Sequence, residues 1–487
     1  MKNWIASTVT TKSFSPAFAV VLGLVLGTAS RAEQPRPLSL HPGNPHYFLF
    51  RGKPTVLITS GEHYGAVLNL DFDYLRYLEA LKADGLNLTR TFSGAYVEPQ
   101  GAFQIERNTL APAAGRFICP WARTSAPGYP GGGNKFDLTR WDATYFKRLK
   151  DFVSKASERG VVVEMSLFCP FYDETQWKLS PQNADNNVNG FAKVQRDAVY
   201  TLDRNGGLLA VQDAMVRRFV EELRDFDNVY YEICNEPYFG GVTLDWQNHI
   251  ADVIVEAERT FPGKHLISRN VANGSAKVEG PHPAVSIFNF HYATPPVAVA
   301  QNWGLWKVIG DNETGFKGTA NRHYRTEGWE FILAGGGLYN NLDYSFAVGH
   351  EDGTFHYPET QPGGGGVALR RQLKTLKEFV EGFDFTRMTP DSTLKPDSSP
   401  VRGGVPEKAR ARALFEPGKA YAIYLTGGPR ADLKVELPEG KYAVDWINPL
   451  TGKVDRSEVI DHKGGAATLV SPEYAEDMAL RILRKGP

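Results

Sequence analysis

Two glutamates stand at the ends of apolar runs, where a carboxyl group is placed to do chemistry. Glu236 closes the run in "NVYYEICNEPYFGG" (228–241), between Asn235 and Pro237. Glu313 closes the run in "KVIGDNETGF" (307–316), with Asp311 two positions before it. Runs of this length read as buried strands, so both carboxyls fall at a strand's C-terminal end. Two carboxyls facing each other about 5 to 5.5 Å apart can split a glycosidic bond, one as proton donor to the leaving oxygen and one as nucleophile. Asn235 can hydrogen-bond a sugar hydroxyl beside the reacting carbon, and Pro237 fixes the turn that aims Glu236. In the second motif strict alternation points 311 and 313 to one side, so Asp311 and Glu313 both stand open for the role. An isolated Asn-Glu-Pro reads as a tight capping turn; the second carboxylate changes that reading.

These residues need a scaffold that brings distant strand ends together. The chain alternates apolar strands with amphipathic helices: "TVLITSGEHYG" (55–65) precedes a helix with Tyr74, Tyr77, Leu78 and Leu81 at helical spacing. "GLNLTRTF" (85–92), "VVVEMSLFCPF" (161–171), "NVYYEIC" (228–234), "HLISRN" (265–270), "VSIFNFHYA" (285–293), "KVIGDNE" (307–313) and "FILAGGGLYNNL" (331–342) complete eight strands. A helix over 367–383 closes the ring. This pattern predicts an α/β fold, a (β/α)8 TIM barrel, whose chemistry sits at the C-terminal rim of the strands. "TSGEHYG" is not G-x-G-x-x-G, which agrees with a barrel rather than a dinucleotide-binding sheet. "TPDSTLKPDSSPVRGG" (389–404) reads as a linker, and the short alternating strands of 405–487 as a small C-terminal β-sandwich. The barrel domain is expected over 33–388.

Residues 1–32 carry Lys2 and Lys12, an apolar run from Ala17 to Leu26 and small residues around Ala29 to Ala32. That is the pattern of a cleavable secretory signal, so a secreted or periplasmic location is expected. Lys+Arg is 54 against 55 Asp+Glu, a net charge of -1, which gives no global field for nucleic acid or an acidic membrane surface. Three cysteines, Cys119, Cys169 and Cys234, are an odd number, so the fold does not depend on a full disulfide framework and has room for one bridge without requiring it. With 11 histidines and no H-x-H or H-E-x-x-H, a metal-dependent hydrolase is disfavoured. No metal and no cofactor are expected. Adjacent Glu62 and His63 are poor joint ligands, since neighbours on a strand point to opposite faces.

"GLNLTRTF", "YYEICNEP", "FNFHYA" and "VIGDNETG" resemble the signature strands of clan A glycoside hydrolases, the retaining (β/α)8 enzymes that include the family 5 cellulases. The resemblance implies Glu236 as acid/base, Glu313 as nucleophile, Arg90 orienting the nucleophile, and His291 and Tyr292 as the strand-six pair. It implies a poly- or oligosaccharide substrate and no cofactor. The chain departs from the pattern at strand eight, where "AGGGLYNNLDYSF" holds no Trp. The C-terminal segment, with "YAIYL" and "VDWINPLTG", resembles the sandwich that some bacterial relatives carry and that is named for collagen binding. Pairing with Arg90 would keep Glu313 ionised. Tyr292 is suited to hold the nucleophile and His291 to bind a sugar hydroxyl. Tyr238, two residues from Glu236, is the best of the rim aromatics for a sugar face. Glu62, His63 and Tyr64, ending strand one, are further substrate-contact candidates. A non-catalytic carbohydrate-binding protein that keeps the barrel is the competing class, and the presence of both glutamates speaks against it.

Overall fold

The apolar runs form strands because they are short, rich in β-branched and aromatic residues, and hydrophobic on both faces, as a sheet covered on both sides requires. The computed structural model describes residues 36–393 and 398–486, with Met1, Trp4 and residues 6–13 ahead of them. The expected secretory run, Ala17 to Leu26, and its cleavage region lie outside the described residues. Eight parallel strands, β1 (Leu57–Gly61), β2 (Leu88–Phe92), β3 (Val162–Phe168), β4 (Val229–Cys234), β5 (Ile267–Asn273), β6 (Val285–His291), β7 (Val308–Thr314) and β8 (Leu338–Leu342), pair in the order β1-β8-β7-β6-β5-β4-β3-β2. The seam between β1 and β2 carries no ladder. Asn87 spans it: its Nδ2 donates to Val56 O at 2.9 Å and its Oδ1 accepts from the Ile58 amide at 2.9 Å.

Helices α1 (Tyr74–Ala83), α2 (Ala143–Glu158), α3 (Leu208–Leu223), α4 (Leu244–Ala257), α5 (Val297–Asn302), α6 (Asn321–Leu333) and α7 (Val367–Glu381) wrap the sheet. None follows β5, because residues 274–284, "GSAKVEGPHPA", carry two prolines and two glycines. The eighth strand is shorter than expected. Phe331, Ile332 and Leu333 close α6, and the Phe331 carbonyl accepts from the Gly336 amide at 3.1 Å. A Cβ at Gly336 would fall 2.3 Å from the Phe331 ring, so only glycine turns the chain there.

The barrel interior is layered. At the N-terminal ends of the strands Leu57, Leu88, Val162, Ile287, Val308 and Leu338 make an apolar floor. Above it lie Arg90, Glu164, Glu232, Asn289 and Asn312, all buried. Such groups stay inside only when paired and hydrogen-bonded. The catalytic candidates form the next layer, at the rim. Among the described residues no helix is long and apolar enough to cross a membrane.

Seven further strands, β9 (Arg410–Glu416), β10 (Ala420–Thr426), β11 (Asp432–Leu437), β12 (Gly440–Ile447), β13 (Val454–His462), β14 (Gly465–Val470) and β15 (Asp477–Arg484), build the C-terminal sandwich. One sheet runs β9-β10-β15-β12-β13 and the other β11-β14. The segment read as a linker adds an edge to each, Thr389–Pro390 beside β9 and Val401–Gly403 beside β11. The sandwich is fastened to α6. Arg325 Nε donates to Asp477 Oδ2 at 2.8 Å, Trp329 stacks on Tyr424 with centroids 5.1 Å apart, and Arg410 Nη2 meets Glu330 Oε1 at 2.7 Å.

Candidate active site

A β-bulge in β7 decides which carboxyl reaches the rim. Phe290 of β6 is opposite Asp311 and His291 is opposite Glu313, so residue 312 is the extra one. The alternation expected for 311 and 313 is broken at that point. Asn312 turns into the barrel and donates to Glu164 Oε1 at 2.9 Å and Glu232 Oε1 at 2.8 Å. Asp311 is fully buried and accepts from the Ala293 amide at 3.2 Å; burial, then the nearby Glu327, push its pKa well above the usual carboxylate range. Glu313 alone of the two lines the pocket.

Glu313 is held by three donors. Tyr64 Oη reaches its Oε2 at 3.0 Å, Arg90 Nη1 the same oxygen at 3.1 Å, and Tyr292 Oη its Oε1 at 2.8 Å. Arg90 is wholly buried, its Nη2 donating to Glu232 and, at 2.6 Å, to Asn235 Oδ1, and its Nε donating to Ser166 Oγ at 3.1 Å. Its guanidinium lies 4.5 Å from the Tyr64 ring centroid. Arg90 therefore has one charge to share between Glu232 below and Glu313 above. Glu164 does not compete for it: burial and the neighbouring Glu232 raise its pKa to about 8.

Glu236 has its own set. Tyr172 Oη donates to Oε2 at 2.6 Å, Tyr238 Oη lies 3.1 Å from Oε1, and His291 Nδ1 lies 3.1 Å from Oε1. His291 Nδ1 is also 3.5 Å from Glu313 Oε1, while its Nε2 has no partner, so Nδ1 carries a proton between the two carboxyls. Burial drives the Glu236 pKa up, but the hydrogen bond and charge of His291 and the bonds from Tyr172 and Tyr238 outweigh it, leaving the net shift downward. A relay runs to the other carboxyl: Arg90 donates to Asn235 Oδ1, Asn235 Nδ2 donates to Tyr172 Oη at 2.9 Å, and Tyr172 donates to Glu236. Three of these residues hold left-handed backbone, Tyr64 at φ 60°, Glu236 at φ 36° and Tyr292 at φ 52°. Each such residue costs about 1 to 3 kcal/mol, and the strain gathers where side chains are aimed at the two carboxyls.

The pocket between them has a volume of about 60 Å³ and is walled by His63, Phe92, Glu98, Phe103, Tyr172 and Phe316 besides the two glutamates. Of the residues expected there, His63, Asn235 and Tyr292 line it, and Arg90, His291 and Tyr238 act through their bonds to the carboxyls. Glu62 does not line it. Its oxygens are taken by the amides of Gly65 at 3.0 Å and Ala66 at 3.1 Å and by the Thr109 hydroxyl, so it braces the loop after β1. Glu98 was not expected. It accepts from Tyr96 Oη at 3.0 Å, from Asn108, and from His63 Nε2 at 3.3 Å, and it lies on a long loop with no periodicity to mark it. Two residues past β8 stands Tyr344, its ring 5.9 Å from His63; Gly363 packs so closely on Tyr344 that a Cβ there would fall 2.2 Å from it.

One donor atom each of Glu236, His291 and Glu313 lie within 4.8 Å of one another. By distance such a trio can surround a cation. The Arg90 guanidinium on Glu313 supplies a fixed positive charge there instead, and the residues do not fit a resident metal.

No family model matches the chain, and no curated protein matches it in sequence. In fold it is similar to a glycoside hydrolase family 5 structure from Bacteroides vulgatus ATCC 8482, at 14% identity and TM-score 0.61, covering 92% of this chain and 93% of that one. A second structure from the same organism, provisionally named a glycoside hydrolase, gives TM-score 0.61 at 14% identity over 92% of this chain and 82% of the other. A third, a glycoside hydrolase, gives TM-score 0.59 at 14% identity over 92% and 97%. At this identity the likeness establishes a shared barrel-and-sandwich fold.

Proposed function

We propose that the protein is an exported retaining glycoside hydrolase acting on a poly- or oligosaccharide. The observation that carries the reading is that one oxygen each of Glu236 and Glu313 lie within 4.8 Å of one another, which favours the roughly 5 to 5.5 Å carboxyl spacing of double displacement over the roughly 6.5 to 9.5 Å that leaves room for a water in inverting enzymes. Glu313, bonded by Arg90 and oriented by Tyr64 and Tyr292, attacks the anomeric carbon and forms a glycosyl ester. Glu236 gives its proton to the leaving oxygen. A bound sugar excludes water from Glu236, which acts in the direction that raises its pKa and favours the acid form. In the second step Glu236, ionised and held by Tyr172, Tyr238 and His291, takes a proton from water as it attacks the ester. The fold likeness to glycoside hydrolases supports the reading, and the export signal in the sequence supports the location.

The test is to trap the ester with activated 2-deoxy-2-fluoro glycosides of several sugars, whose second step is slow, and to map the adduct by peptide mass spectrometry. A glycosyl group on Glu313 is expected. Turnover of any glycoside with inversion, or an adduct on another carboxyl, would overturn the mechanism.

A further inference from the structure

Beside the pocket lies a second cleft, of about 490 Å³, bounded on one side by the barrel and on the other by the sandwich. The barrel contributes Lys317, Arg322 and His323, and the sandwich contributes Lys408 and Arg410. Chain neighbours line the two. Phe316 lines the pocket and is followed by Lys317, and Thr294 of the cleft lies two residues after Tyr292, which holds Glu313. The loop that carries Lys317 is built in place: its amide donates to Tyr324 Oη at 3.1 Å and the Gly318 amide to Pro362 O at 3.1 Å.

The positive charge of this cleft is only partly compensated. Arg410 is neutralised by Glu330, at 2.7 Å. Among the described residues the exposed side chains of Lys317, Arg322 and Lys408 make no hydrogen bond or ion pair. The one carboxyl in the lining is Glu327, which is bonded to Thr314 Oγ1 at 2.5 Å. Burial raises its pKa to about 7 against the opposing charge of nearby Lys317, so it offsets only part of the positive charge. In a chain of net charge -1 three exposed cations with no hydrogen-bonded carboxylate around one cleft are a local feature.

We propose that this cleft is a subsite for the anionic part of an acidic saccharide, one bearing carboxylate or sulfate groups, whose scissile bond lies over Glu236 and Glu313. The inference rests on the hydrolase reading for the position of that bond. Several features favour a saccharide over a nucleic acid. The cleft is joined to the pocket through consecutive residues, its volume is in the range of small-ligand sites, and among the described residues no Phe, Tyr or Trp lines it on which a base could stack. The sandwich thereby acquires a role, since Lys408 comes from the segment leading into β9.

Binding is measured by calorimetry in the full chain carrying Glu313→Gln, which cannot turn over its ligand. The probes are oligogalacturonates of several lengths, a sulfated glucan oligosaccharide, uncharged cello-oligosaccharides and a short single-stranded DNA. At least one acidic saccharide is expected to bind ten times or more tighter than the uncharged ones, with affinity falling as salt rises, and the acid that binds identifies the group. Adding Lys317→Glu, Arg322→Glu and Lys408→Glu, all at exposed positions, should weaken that binding tenfold or more without lowering the melting temperature. Equal affinity for acidic and uncharged saccharides, acidic binding that survives the triple change, or DNA binding as tight as the saccharide would each overturn the proposal. The two readings fail separately. A chain that binds acidic saccharide but never forms the glycosyl ester contradicts the hydrolase, and one that forms the ester but prefers no acid contradicts the cleft.

Discussion

Tyr172 stands between Asn235 and Glu236, accepting from one and donating to the other, and so sets the charge state of the proposed acid/base. Its hydroxyl proton favours the ionised form of Glu236, and the net shift of that carboxyl is downward. Replacing Tyr172 by Phe removes a donor to the charged form, so the Glu236 pKa must rise. The rate limb that reflects loss of the acid's proton should then move to higher pH in kcat/KM, with the maximum lowered because Asn235 and Glu236 are less well held. A limb that stays in place, or moves down, would mean that another group is the acid. Glu236 was legible in the sequence because an apolar run ends on Asn-Glu-Pro. Glu313 was legible only as one of two, since a bulge leaves no mark in Asp-Asn-Glu, where all three residues are polar. Nothing in the sequence singled out Tyr172, because its contact depends on how a loop folds back.

At the scale of elements, the strands and helices followed from periodicity because burial enforces it. The α2 stripe of Leu149, Phe152, Val153 and Ala156 is fully buried, and so are the strands on which the site is mounted. What periodicity could not show is the polar layer inside the barrel. Glu164 and Glu232 sit on β3 and β4 in the same phase as apolar residues of other strands, and the pairing of Glu232 with Arg90 joins elements far apart in the chain. Glu164 keeps a proton in the folded state to about pH 8, whereas an unfolded glutamate releases it near ~4.3. Its folded pKa is raised, so its contribution to stability is complete below the unfolded value and is lost as pH rises through the folded one. Glu62 and Glu327, each raised to about 7 chiefly by burial, act with the same sign. The melting temperature should therefore fall between pH 5 and pH 8.5 (roughly the window between the two values). Glu164→Gln retains an acceptor for Asn289 and Asn312 and has no proton to lose, so its decline over the same range should be shallower. Parallel curves for the two proteins would remove Glu164 from the account.

At the scale of the molecule, the sequence divides where composition changes, but the packing does not divide there. Leu414, Ala422, Tyr424, Ile447 and Ala479 of the sandwich belong to the same apolar cluster as Trp329, Phe379 and Phe385 of the barrel side. Alternation showed that a sandwich exists; it could not show which of its faces meets α6. Ending the chain after Met388 would uncover Trp329 and leave Arg325, whose side chain is 2% exposed, without Asp477 and Glu476. Stranding one member of a buried ion pair costs about 3 to 5 kcal/mol, enough to lower the melting temperature of a domain this size by several degrees or more. None of the groups bonded to Glu236 or Glu313 lies beyond Met388, so the chemistry on a small aryl glycoside should persist in the molecules that remain folded. Counting active sites by the burst of released aryl alcohol and measuring the melt on the same preparation separates the two effects. The expected result is a steady rate per titrated site with a lower melting temperature, and the full-length Asp477→Asn variant should show a smaller loss of the same kind. A truncated chain that melts as high as the full one would show that the α6 contacts add nothing to stability. A folded one with no burst would show that the sandwich is part of the catalytic machinery.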